Sequence, residues 1–233
     1  MMGEEYSSYS SEVTEETMST VMQRVFKMMT AGLLVTALVS AFILNTPSAL
    51  YFIARTMWGW IIAELILVFY LSLRVEKLGT STCRLIFYLY AAVNGVTLAP
   101  LCYAYTEASL ATTFLTTAIT FGAMALVGQS TKRDLTKMGS FLMMGLIGVI
   151  VAAIINIFIQ NSMVDFVITI IGLLIFIGLT AYDVQKIKRF ASTSNMMEED
   201  AVTKVVTMGA LTLYLDFINI FIKLLRLMGR RKR

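Results

Sequence analysis

The chain has 233 residues, 58% of them hydrophobic and 15% charged, with a net charge of +4 and two prolines. With a mean hydropathy of +0.76, it is an all-α integral membrane protein rather than a soluble domain. No histidine is present, which excludes histidine metal sites, histidine bases and the usual near-neutral proton switch.

Residues 1–20 hold Ser, Thr, Tyr and Glu without an apolar run, with Glu4, Glu5, Glu12, Glu15 and Glu16 among them. They are expected to form a flexible acidic tail, and their negative charge argues against a cleaved signal. A transmembrane domain over 21–229 follows, then a basic tail over 230–233. Seven apolar segments fall at 25–45, 50–73, 85–105, 110–128, 138–160, 164–187 and 205–227, each long enough to span a hydrocarbon core of about 30 Å.

Loop charge orients these segments. Arg74, Lys77 and Arg84 lie in the 74–84 loop, Lys132, Arg133 and Lys137 in 129–137, and Lys186, Lys188, Arg189 and Lys204 in 186–204. The turns at 46–49, 106–109 and 161–163 hold no Lys or Arg. The alternation puts the basic loops and the N-terminus in the cytoplasm, and reads the net charge as membrane anchoring rather than nucleic-acid binding. The C-terminal Arg230, Arg231, Lys232 and Arg233 conflict with this pattern. Either the last segment crosses against the rule or it dips in and returns; a full crossing is the expectation.

Cys83 and Cys102 stand nineteen residues apart on one segment, about 28 Å along a helix, too far for a disulfide. Glycines at 95, 122, 145, 148, 172 and 178 read as close helix packing. Pro100, after Asn94-Gly95-Val96-Thr97, frees a backbone carbonyl one turn earlier, for a kink or for a passing cation.

Polar groups inside the spans carry the functional reading. Segment seven holds Asp216, Asn219, Lys223 and Arg226 at helical spacing, a stripe that must face protein or water. Asp183 lies about 7–10 Å below the cytoplasmic surface and Asp216 about 12 Å deep, so the two can share a level. Two buried carboxyls within hydrogen-bonding reach share one proton, a proton-sensitive latch; independent or solvated aspartates are the simpler alternative. Both are hard oxygen donors, and so the candidate metal contacts. Glu64 sits mid-span in segment two; Glu64–Arg226 and Arg74–Asp183 contacts are both geometrically possible. Arg74 also reads simply as an anchor. Asp165 lies at the outer edge of segment six.

Tyr182-Asp183 with Gln185-Lys186-Ile187-Lys188, and Leu213-Tyr214-Leu215-Asp216-Phe217-Ile218-Asn219 running on to Arg226, resemble the Bax inhibitor-1 family in its bacterial form. Gly95-Val96-Thr97-Leu98-Ala99-Pro100 adds a weaker match. The resemblance implies six helices around a central seventh, no enzymatic activity, and a pH-sensitive calcium leak closed by the pair that falls here on Asp183 and Asp216. It implies residence in a bacterial inner membrane, with lipid and calcium ions as partners and no cofactor. It also carries Glu64 and Arg226 into supporting roles. Arg74 is offset, because its spacing from Glu64 is one residue shorter than in bacterial members; Asn94, Pro100 and Asn219 are pore or packing candidates.

Other readings fit less well. An intramembrane aspartyl protease uses Gly-x-Gly-Asp where this chain has Leu213-Tyr214-Leu215-Asp216. A retinal protein would use Lys223 but lacks an acid in segment three. A non-conducting regulator acting through its tails is the alternative function.

Overall fold

The computed structural model describes residues 2–192 and 198–232; Met1 and Arg233, the outermost residues of the two expected tails, lie outside them. Eight α-helices follow in order: α1 Met2–Leu44, α2 Pro47–Arg55, α3 Met57–Arg74, α4 Thr80–Tyr103, α5 Glu107–Ser130, α6 Thr136–Ile159, α7 Ser162–Ser192 and α8 Glu199–Met228. All but α2 are long and apolar enough to cross a membrane, and no strand forms among the described residues. The chain is an all-α membrane protein.

Two expectations are corrected. The acidic stretch expected as a flexible tail is helical from Met2 onward, continuous with the first span. The second segment is interrupted: Pro47 starts α2, where its missing N–H costs nothing, and Thr56 ends it. The Thr56 N–H donates to the Ile53 and Phe52 carbonyls, while its own carbonyl accepts from Gly59 and Trp60 as α3 begins. The crossing helix therefore starts at Met57 rather than at residue 50.

Many threonine hydroxyls in the spans are satisfied within their own helices. Thr112, Thr116, Thr117, Thr169, Thr180, Thr207 and Thr212 each donate to the carbonyl four residues back at 2.8–3.0 Å. This is how a threonine-rich helix such as α5 tolerates a medium without water. Outward faces are apolar: Phe141, Ile147, Ile154 and Phe158 of α6 are all exposed, as lipid contact requires. In its most hydropathic stretch α8 is 67% buried, against 6–50% for the other six spans, the burial of a helix enclosed by neighbours.

Two compact units make up the fold. The first contains residues up to Tyr103 together with Ile187–Tyr214; the second contains Ala104–Lys186 and the chain from Leu215 onward. Thus α8 gives its first half to one unit and its second half to the other.

The second unit has two distinct ends. At one, the Gln185 side chain clamps the basic loop, donating to the Arg133 carbonyl (2.8 Å) and accepting from the Leu135 N–H (2.9 Å). At the other, the C-terminal tail is strapped to the turn before α5. Arg231 pairs antiparallel with Tyr105, the Thr106 N–H donates to the Arg230 carbonyl, and the Lys232 N–H donates to the Ala104 carbonyl. The Arg230 N–H also donates to Ser109 Oγ. α8 is unbroken and its tail ends beside the turn that lacks basic residues.

Candidate functional site: an aspartate pair on α7 and α8

Asp183 is held by close packing on both sides of its own turn. A Cβ on Gly128 of α5 would lie 2.2 Å from the Ala181 carbonyl oxygen, and one on Gly139 of α6 would lie 2.5 Å from the Tyr182 ring. Only glycine permits these approaches, so α5 and α6 lie directly against α7 in the turn that presents Asp183. Two residues further on, the Gln185 clamp fixes the same turn to the basic loop.

Asp216 comes from α8 and is 4% exposed, the only carboxylate fully buried among the described residues. Next to it, Phe217 packs edge-on and tilted against Phe121 and Phe114 of α5, with ring centroids 5.6 and 5.5 Å away. Asp183 is half-buried and near enough for its charge to act on Asp216; Lys186, one turn on, is the cation acting on Asp183. Asp216 Oδ2 is buried without a hydrogen-bond partner. An isolated carboxylate in that setting would be strongly disfavoured. Among the described residues no cluster of three acidic or cysteine side chains could hold a resident metal.

The polar stripe of α8 follows α7. Asp216 lies near Asp183, Lys223 rests on Gly172, and Arg226 pairs with Asp165 at 3.4 Å. Asn219 turns back on its own helix, donating to the Leu215 carbonyl at 2.8 Å.

Glu64 and Arg226, between which linear spacing allowed a contact, each have a partner within their own unit. Arg226 takes Asp165, a residue placed by sequence only at the edge of its segment. Glu64, half-buried on α3, accepts from the Thr97 hydroxyl. Helix packing rather than linear spacing decides this, since Thr97 and Asn94 bring the α4 polar face opposite Glu64. Arg74 ends α3 exposed, an anchor's position, and α4 runs unbroken through Pro100. Cys83 and Cys102 are buried thiols without a disulfide.

One feature escaped the sequence reading. Tyr214, completely buried, donates to Asn94 Oδ1 (3.1 Å) and shares a 2.6 Å hydrogen bond with Thr36 Oγ1. Its ring packs edge-on against Phe87 and Tyr90. In this unit one hydroxyl joins α8 to α1 and α4. The available signal was a tyrosine flanked by leucines in a helix too apolar to face water, since a buried Tyr needs a partner.

Comparison with known proteins decides the relationship. The family profile described as Inhibitor of apoptosis-promoting Bax1 matches residues 18–233. The chain belongs to the Bax inhibitor-1 family. Among relatives, the Escherichia coli K12 inner membrane protein YbhL is 42% identical over 218 residues, 92% of this chain and 93% of that protein. A Borreliella burgdorferi protein is 40% identical across 90% of this chain and 91% of its own length. A Streptococcus pyogenes membrane protein is 44% identical over 74% of each. As a Bax inhibitor-1 family member, the chain matches the Escherichia coli and Borreliella burgdorferi relatives over nine tenths or more of its length.

Proposed function

We propose that this chain is a pH-sensitive leak for calcium ions in a bacterial inner membrane, with its N-terminus in the cytoplasm, closed by the Asp183–Asp216 pair. The observation that carries the reading is the buried, unpartnered Asp216 Oδ2 within electrostatic reach of Asp183. One proton shared by the two carboxyls holds α7 to α8. Loss of that proton leaves two like charges in a low-dielectric site, and gain of a second removes the charge on which the arrangement depends. Both changes act on the same helix contact, so proton concentration sets how firmly it closes. When it loosens, the same oxygens can touch a passing hard cation. The inner-membrane location is supported by the name of the Escherichia coli relative. No step in this reading makes or breaks a covalent bond, so the chain acts without catalysis.

Calcium efflux from sealed proteoliposomes tests the proposal. The wild-type leak changes between about pH 5 and 8, the range open to a carboxyl pair sharing a proton. Asp183→Asn and Asp216→Asn keep the side-chain volume but remove the shared-proton equilibrium, and each flattens the profile. If both variants retain the wild-type pH dependence, the pair is merely structural. Absence of flux at every pH instead favours a non-conducting regulator.

A further inference from the structure

The aspartate pair leaves one mid-span carboxyl of the chain without a task. Glu64 lies on α3, about 10 Å from one end of the helix and about 15 Å from the other. In its most hydropathic stretch α3 is only 6% buried, and Leu71 is its one fully buried residue. Polar contacts must therefore help to hold this helix to α4. Among the described residues no charged side chain acts on Glu64, and its titratable neighbours are Tyr90 of α4 and Tyr214 of α8. A carboxylate placed there without a cation is strongly disfavoured.

The hydroxyl beside it also has too few hydrogens for a carboxylate. Thr97 Oγ1 lies within hydrogen-bonding distance of Glu64 Oε1 and, at 3.0 Å, of the Asn94 carbonyl oxygen. With Glu64 ionised both of these oxygens are acceptors, and the hydroxyl owns a single hydrogen. A carboxylic acid removes the shortage. Its O–H donates to Thr97 Oγ1, and Thr97 donates to the Asn94 carbonyl. The Asn94 side chain completes the arrangement. Its Oδ1 accepts from Tyr214, so Nδ2 is the end left for Glu64 and Tyr90, both of which the side chain hydrogen-bonds. Since Tyr214 spends its one hydrogen on Asn94, Thr36 Oγ1 is the donor in their shared 2.6 Å bond. Each hydrogen then has one place, in a line that runs from α3 through α4 and α8 to α1.

We propose that Glu64 binds a proton of its own, apart from the aspartate pair, and that the neutral acid fastens α3 to α4 through Thr97 and Asn94. Ionisation creates a bare charge and draws the Thr97 hydrogen away from the Asn94 carbonyl, which loosens a helix with little else to hold it. Neither step depends on calcium passing through the protein or on where the aspartates keep their proton.

Infrared difference spectroscopy of the full chain in lipid vesicles at neutral pH reads the protonation state. Subtracting the Glu64→Gln spectrum from wild type leaves the carbonyl stretch of a neutral carboxylic acid, which moves to lower frequency in D2O. Asp183→Asn and Asp216→Asn keep that band, which separates this proton from the pair's. Thr97→Val keeps the shape, removes the hydroxyl and shifts the band to higher frequency. Carboxylate stretches in place of the acid band overturn the proposal, and so does loss of the band in either aspartate variant. An unmoved band in Thr97→Val overturns Thr97 as the acid's partner. The fastening is read from thermal midpoints in one detergent. Glu64→Gln, whose amide donates to Thr97 and accepts from Asn94 as the acid does, keeps the wild-type value, while Glu64→Ala lowers it. A Gln variant that falls as far as Ala, or an Ala variant that does not fall, overturns it.

Discussion

Gly128→Ala adds one methyl group where α5 meets α7. The methyl would stand 2.2 Å from the Ala181 carbonyl oxygen and must retreat to at least 3.4 Å, so the helices part by about 1.2 Å. The obstacle is backbone, and no side-chain rotation relieves it. Replacing a helical glycine gains about 0.8–1.0 kcal/mol of propensity, while overpacking a closely packed contact costs about 1–3 kcal/mol. The net expectation is a loss of up to about 2 kcal/mol, or up to about 8 °C in apparent midpoint for a chain of this size. Gly122→Ala on the same helix is the matched control, because its Cβ would meet nothing within 4 Å. It should be neutral or raise the midpoint by up to about 4 °C. Thermal unfolding of both variants in one detergent gives the comparison, and calcium efflux gives the functional readout, since Ala181 lies two residues from Asp183. If Gly128→Ala proves as harmless as Gly122→Ala, α5 does not rest on α7 at this point and the positioning of Asp183 must be rethought.

Tyr214→Phe removes one oxygen from a filled core and should lower stability by about 1–2 kcal/mol; an unchanged midpoint would mean that its hydrogen bonds to Asn94 and Thr36 contribute nothing. Glu64→Gln and Arg226→Met should add independently, within about 0.5 kcal/mol in a double-mutant cycle, because their partners are Thr97 and Asp165; stronger coupling would restore a direct contact between them. Arg226→Met alone should cost no more than about 1 kcal/mol, its ion pair being half-exposed, and a larger loss measured in detergent would contradict that. Cysteine at Lys132 should be labelled only from the cytoplasm and cysteine at Arg231 only from the opposite side; labelling of both from one side would contradict the full crossing of α8.

The seven crossings were legible because a span announces itself by composition: some twenty apolar residues leave few alternatives in water or lipid. Asp183 and Asp216 stood out for a related reason, since carboxylates are scarce inside these spans. Lateral contacts were not legible. The depth of Glu64 along α3 was readable, but its neighbour depends on the rotation of α4, which linear spacing leaves open; Thr97 emerged only with the packing. Asp165 looked peripheral by position and is Arg226's partner for the same reason. The break at Thr56 was hidden because the flanking residues are uniformly apolar and hydropathy does not register a helix that stops and restarts. Tyr214 was quoted for its motif, yet its hydroxyl joins three helices through partners far away in sequence.

The division of α8 between the two units has a consequence for how the protein is made. Synthesis runs from the N-terminus, and domains ordinarily close up in the order in which they emerge. Here each unit includes a stretch of the last helix, so six spans can be inserted while both cores still lack a wall. Buried positions such as Phe87 and Phe121 then wait for Tyr214 and Phe217 to arrive. Completion is a late event for the whole chain, and it is sealed last of all, when the residues after Met228 reach the turn before α5. A ribosome halted before Glu199 would leave two unfinished halves rather than one good domain and one missing.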